Sequence, residues 1–238
     1  MEKFKTTILL IIAALCFYIS FEANAKTIRV LEVDTGVDVS HPEIFSHIRN
    51  GFGFDYTDDE GHGTGIAGLI LKDTCKEVEL ISCRYYYPWS KNYQQEKSND
   101  CFKRALTENI QFVNYSSNGR DPNDEEKEIF RKMSKKGIIV TVAAGNDGLD
   151  LTKTGKCIGA YPSCYLFKNM YIVENLMGNG ILNPSSNHLK NKNKRAMPGV
   201  KIPILLPKGE IGEMTGTSPA SAKYMNYLLR KECLKYHK

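Results

Sequence analysis

Four polar residues stand where they could move protons and steady charge: Asp34, His62, Asn146 and Ser218. Asp34 follows the apolar run Ile28 to Val33 directly. A carboxylate held rigidly there, partly shielded from water, suits orienting a histidine. His62 sits in Gly61-His62-Gly63-Thr64-Gly65, ahead of the apolar Ile66-Ala67-Gly68-Leu69-Ile70. At a helix start the positive dipole end disfavours imidazolium, which predicts a ring available as a base. Ser218 opens the last helix within Gly216-Thr217-Ser218-Pro219-Ala220, where a backbone N–H can face a developing oxyanion. Asn146 closes Ala143-Ala144-Gly145-Asn146 and could aim its amide at the same oxygen. Each residue also has a plainer use, Asp and Asn in turns and Ser as a helix cap.

Competing chemistries fit less well. Asp34-Thr35-Gly36 is a tripeptide that aspartic proteases also use, but a second Asp-Thr-Gly or Asp-Ser-Gly for the partner carboxylate is absent. The serine segment resembles a G-x-S-x-G elbow only in part, because Ala220 stands at the second glycine. That fold needs its acid and histidine after the serine, and only His237 follows Ser218, with no Asp. Of the five histidines, His41, His47, His188 and His237 read as surface groups; only His62 is bracketed by glycines. No C-x-x-C spacing or Cys/His pairing supports zinc.

The elements that must position these residues alternate. Strands are expected at Ile28 to Val33, Val78 to Arg84, Phe112 to Tyr115, Ile138 to Ala144 and Tyr171 to Val173. Ile138 to Ala144 is apolar without alternation, as in a strand buried on both faces. Ser98-Asn99-Asp100 offers cap oxygens to a helix carrying Phe102, Ala105 and Leu106. Asp124 to Lys135 reads as a helix, acidic at its start, basic at its end and stopped by Gly137. A last helix follows from Pro219. The expected class is α/β, a three-layer, mostly parallel sheet with helices on both faces and its chemistry at the strands' carboxyl ends.

The 238 residues, 42% hydrophobic and 25% charged, are enough for one sizeable core. Nineteen glycines without a period exclude a collagen-like chain. The net charge of +5, with no basic stripe interleaved with aromatics, gives no reason to invoke nucleic acid. The run Lys190 to Arg195 reads as a solvated loop. Lys3 and Lys5, the apolar run Ile8 to Phe21 and Glu22-Ala23-Asn24-Ala25 make up a secretory signal cut after Ala25, leaving residues 26–238 as one domain. The run is short for a membrane anchor, and no small residue stands just before Cys16 to favour a lipid anchor. Six cysteines remain, Cys75, Cys83, Cys101, Cys157, Cys164 and Cys233, an even count that favours disulfides; Cys157 with Cys164 is the preferred local pair.

Taken in order, the blocks resemble the subtilisin family of serine proteases (subtilases). Asp34-Thr35-Gly36-Val37 with Ser40-His41-Pro42 is similar to that family's aspartate block, and Gly61-His62-Gly63-Thr64 to its histidine block. Gly216-Thr217-Ser218 is similar to its serine block, and Ala143-Ala144-Gly145-Asn146 to its oxyanion block. Weaker matches are Val113-Asn114-Tyr115-Ser116, Tyr161-Pro162-Ser163 and Pro198-Gly199-Val200. The resemblance implies a serine endopeptidase with Asp34, His62 and Ser218 as its triad, Asn146 in the oxyanion hole, and peptide bound beside Ser116, Ser117, Asn118 and Ala160, the last near an open pocket floor. It implies no catalytic cofactor; a structural calcium is frequent in the family, but no ligand string assigns one here. The expected partners are a polypeptide substrate and a separate folding chaperone or inhibitor, without nucleic acid or membrane. The expected state is a monomer, secreted or periplasmic.

Some positions depart from the family pattern. Gly65 replaces a second histidine, Pro219 a Met, Ala222 a Pro, and Ser117-Asn118 a Leu-Gly. Proline after Ser218 biases that residue away from helical angles. Between Ala25 and Asp34 there is no room for a prosegment. These departures keep a second expectation open, a catalytically inactive binding protein on the same scaffold.

Overall fold

The computed structural model describes residues 27–49, 57–87 and 94–236. The expected signal segment with Cys16, and His237, lie outside them. Six strands form one sheet in the order β2-β1-β3-β4-β5-β6. They are β1 Ile28–Asp34, β2 Val78–Arg84, β3 Phe112–Tyr115, β4 Ile139–Ala143, β5 Met170–Leu176 and β6 Lys194–Pro198. Their pairings are all parallel. Helices α1 His62–Leu71 and α4 Thr217–Cys233 cover one face, and α2 Gln94–Ala105 and α3 Asp124–Lys136 the other. The expected three-layer α/β class is therefore what the chain forms.

Strand periodicity explains the two cores, since successive side chains leave a strand on opposite faces. From β1, Val30 joins Ile66, Ile70, Met225 and Leu229 beneath α1 and α4. Leu31 and Val33 join Phe102, Phe130 and Met133 beneath α2 and α3. Among the described residues the cysteines pair as Cys75–Cys233, Cys83–Cys101 and Cys157–Cys164, the last as expected.

The chain lays down β1, moves outward to β2, then returns to place β3 on the other flank of β1. Strand order thus reverses between β1 and β3, and the crevice at such a point opens at the carboxyl ends of the strands. Asp34 ends β1, Ser116 follows β3, and Asn146 lies three residues past β4.

Several local expectations are corrected. Helix α2 begins at Gln94, so Ser98, Asn99 and Asp100 lie inside it rather than capping it. Ser98 bonds back to the Gln95 carbonyl, and Asn99 reaches across to Glu125 of α3. The basic run is only partly a loop: Lys194 and Arg195 open the edge strand β6, where Arg195 donates to the Tyr224 hydroxyl at 2.8 Å. The β7–β8 hairpin, Ile202–Leu205 with Ile211–Met214, was not expected. The last helix starts at Thr217, running through Ser218 despite Pro219. In a first turn the missing N–H of proline costs no helical bond.

Candidate active site

Asp34, 5% exposed, presents Oδ1 to His62 Nδ1 at 2.6 Å and accepts the Thr35 N–H on the same oxygen at 2.8 Å. A carboxylate only accepts, so the neutral imidazole carries its proton on Nδ1 and keeps Nε2 as a lone pair. The His62 side chain is 32% exposed, open enough for a reactant to reach it. Burial lowers its proton affinity, but Asp34, Asp58 and Glu60 outweigh that, and His62 titrates above the ordinary 6.5. The helix-dipole expectation of a disfavoured imidazolium is therefore reversed: three nearby carboxylates outweigh a partial charge at a helix end. Glycine at position 63 is required by close approach, since a Cβ there would stand 1.9 Å from the Gly36 carbonyl oxygen. The aspartate loop and the histidine turn meet backbone to backbone.

Ser218 stands in the first turn of α4, whose N–H groups have no helical acceptor. Its hydroxyl donates to the Ser116 carbonyl at 3.0 Å, with no hydrogen bond to His62 among those of the described residues. Ser116 in turn bonds through Oγ to the Ser218 carbonyl at 3.3 Å, tying the end of β3 to the start of α4. Asn146 Oδ1 accepts from Thr217 N at 2.9 Å and Thr217 Oγ1 at 3.1 Å. With the oxygen held, the Nδ2 end of the carboxamide is left as the donor. Gly216 has a φ of 152°, and a Cβ there would lie 3.3 Å from the Asn146 amide. Asn118 packs against Gly145, Ser117 is half-buried, and Ala160 has no exposed surface. His41, expected on the surface, is 3% exposed. It is fixed in a turn whose backbone bonds run from Ile44 and Phe45 to its carbonyl.

Comparison with known proteins decides the family: a model described as the subtilase family matches residues 26–224. The chain belongs to the subtilase family. It is 28% identical over 220 residues to the "Major intracellular serine protease" of Bacillus subtilis (strain 168), covering 83% of this chain and 66% of that protein. It is 26% identical over 220 residues to "Subtilisin NAT" of Bacillus subtilis subsp. natto, covering 83% of this chain and 53% of that one. The match thus spans only about half to two-thirds of these relatives' lengths. Among solved structures, a lanthipeptide protease superposes with a TM-score of 0.75 at 17% identity, over 93% of this chain and 79% of that one. The nisin leader peptidase NisP from Lactococcus lactis gives 0.73 at 20% identity, over 90% and 79%. At such identities these last two likenesses bear on the fold.

In this subtilase two buried carboxyls close to Asp34 and His62, Asp58 and Glu32, carry no motif that marks them in the sequence. Asp58, 7% exposed, accepts five bonds. They come from Thr35 Oγ1, the Glu60, Gly61 and Thr64 N–H groups, and Thr64 Oγ1, at 2.6 to 3.2 Å. It caps α1 from outside the helix and locks the turn bearing His62 to the loop after Asp34. An acidic residue just ahead of a glycine-rich helix start was the available signal. Glu32, two residues before Asp34 on the same strand face, has no exposed surface, and neither of its carboxyl oxygens finds a hydrogen-bond partner among the described residues. Burial first, then the charges of Asp34 and Asp58, hold it well above the usual carboxylate range, so it keeps its proton. Among the described residues no cluster of three or more His, Cys, Asp or Glu side chains could hold a metal ion.

Asp58→Ala should cost at least ~2 kcal/mol in urea unfolding, since several buried donors lose their acceptor together. It should also slow any reaction that depends on His62; full stability would contradict the locking role. Glu32 favours the folded state most when both states are protonated. As pH rises above 4.5 the unfolded chain loses that proton while the folded chain keeps it, so stability falls until the folded group ionises. Glu32→Gln should therefore flatten the fall in unfolding free energy on the alkaline side of pH 4.5, and an unchanged slope would contradict the assignment.

Proposed function

We propose that this subtilase is an exported serine endopeptidase that works through Asp34, His62 and Ser218. The observation that carries this reading is the 2.6 Å Asp34–His62 bond at the carboxyl end of β1, the end of the sheet from which Ser116 and Asn146 also hold the first turn of α4 that bears Ser218. Ser218 Oγ turns from the Ser116 carbonyl to His62 Nε2 when a substrate strand claims that carbonyl. A peptide lying extended beside residues 116–118 would do so through its own backbone N–H, in the manner of an added strand.

His62 then takes the hydroxyl proton as Oγ attacks the scissile carbonyl, and Asp34 steadies the imidazolium. The Ser218 N–H and Asn146 Nδ2 donate to the oxyanion. The tetrahedral adduct collapses as His62 returns the proton to the leaving amine, giving an acyl-enzyme. Water, deprotonated by the same ring, releases the acid and restores the hydroxyl. Export is supported by the three disulfides, which persist in oxidising compartments, together with the N-terminal signal-like segment.

A fluorophosphonate probe should label the purified wild-type protein, and Ser218→Ala should abolish labelling. Asn146→Ala should lower turnover by ~10²–10³ with little change in KM. The acidic limb of kcat/KM should lie above 6.5, because imidazolium cannot act as the base and His62 holds its proton past that value. Labelling that survives Ser218→Ala, or no labelling of the folded wild type, would contradict the reading and favour an inactive scaffold.

A further inference from the structure

The reading above fixes where a cleaved peptide must lie, and that position carries an inference about its sequence, which rests on that reading. With the scissile carbonyl carbon at Ser218 Oγ and its oxygen toward Asn146, the acyl-side residue is hemmed in by two chain segments. One is residues 116–118, whose first carbonyl lies 3.0 Å from Ser218 Oγ. The other is residues 143–146, whose last side chain is anchored on Thr217. These segments leave the sheet side by side, continuing the parallel register that pairs Tyr115 with Val142. Carried three residues further, that register sets Asn118 opposite Gly145.

The slot between them is already filled. The Asn118 carboxamide lies across it, with Nδ2 3.4 Å from the Ala143 carbonyl. Its two terminal atoms lie 3.0 and 3.3 Å from where a Cβ on Gly145 would stand. Below, Ala160 and Ser163 have no exposed surface, and Ser163 Oγ donates to the same Ala143 carbonyl at 2.9 Å. Behind, Gly119 and Tyr161 exchange two backbone bonds of 2.8 Å and join the first wall to the floor segment. The fixed walls and sealed floor leave a side chain entering here only the depth that Asn118 does not occupy.

We propose that Asn118 closes the acyl-side subsite to all but the smallest side chains, so that this enzyme cleaves after Gly, Ala or Ser. A bulky residue would have to expel the Asn118 carboxamide from its place against Gly145.

The test is a set of internally quenched peptides varied at the acyl-side residue, with active enzyme counted by fluorophosphonate titration. Wild-type kcat/KM should favour Ala over Phe, Tyr and Leu by at least ~10²-fold, the scale on which a pocket rejects excess volume. Asn118→Gly should lower the Ala-to-Phe ratio at least ~10-fold. Asn118→Ser, which shortens the side chain while keeping a polar β-carbon substituent, should lower it in the same direction and serves if the glycine variant does not fold. Wild-type enzyme that takes Phe, Tyr or Leu as readily as Ala would overturn the inference and leave the hydrolase reading intact. A small-residue preference unmoved in both variants would overturn the assignment to Asn118. Folded wild-type protein that neither labels nor cleaves would overturn the hydrolase reading, and this inference with it.

Discussion

The hydrogen bond between Asp34 and His62 is the constraint around which this molecule is arranged. It demands that the end of the first strand and the first turn of α1 meet at 2.6 Å, although 28 residues separate them. Backbone contact at Gly63, the five-donor acceptor Asp58 and the disulfide fixing the segment after α1 to the end of α4 all serve that meeting. The sheet supplies the rest. Because the strands are parallel and their order reverses beside β1, the loops after β1, β3 and β4 leave the sheet at one end, and Ser116 and Asn146 tie the first turn of α4 to two of them.

Behind the crevice the polar groups are organised as carefully as the apolar ones. Asn114, with no exposed surface, accepts from Thr141 Oγ1 at 2.8 Å and Ser221 Oγ at 3.1 Å and donates to Ser116 Oγ at 3.1 Å. One carboxamide thus ties β3, β4 and α4 together beneath Ser218. Unpaired buried amides are costly, so a satisfied one fixes the relative position of all its partners. Burial first, and then Asp34 and Asp58, two of the acids that raise His62, hold Glu32 well above the usual carboxylate range, which disfavours a further negative charge beside Asp34.

Much of the candidate site was legible in the sequence because its residues stand beside strand ends or helix starts at glycine-marked corners, where side-chain type and backbone need coincide. Asp34, His62, Asn146 and Ser218 are all of this kind. Strands β1 to β5 were legible from their apolar runs and α3 from its charge asymmetry, whereas the edge strand β6, opening on Lys194 and Arg195, and the β7–β8 hairpin were not. What stayed hidden depended on partners distant in the chain. Ser98 and Asn99 are cap residues by type, yet both lie inside α2, where Ser98 bonds back to the Gln95 carbonyl and Asn99 reaches Glu125 of α3. The Cys75–Cys233 pair closes across 158 residues, which no spacing rule reaches. Asp58 draws donors from Thr35 to Thr64, and Glu32 occupies what reads as an ordinary alternating strand position. The sign of the His62 shift was misread because the helix end is visible in sequence and the ring of carboxylates is not.

The most direct measurement of the central pair is an NMR titration of the His62 ring in wild type and in Asp34→Asn, with the fold of each verified. The account predicts a wild-type midpoint above 6.5 that moves downward when the charge of Asp34 is removed, since the attraction holding the imidazolium is lost. A wild-type midpoint below 6.5, or one that does not respond to the substitution, would contradict it.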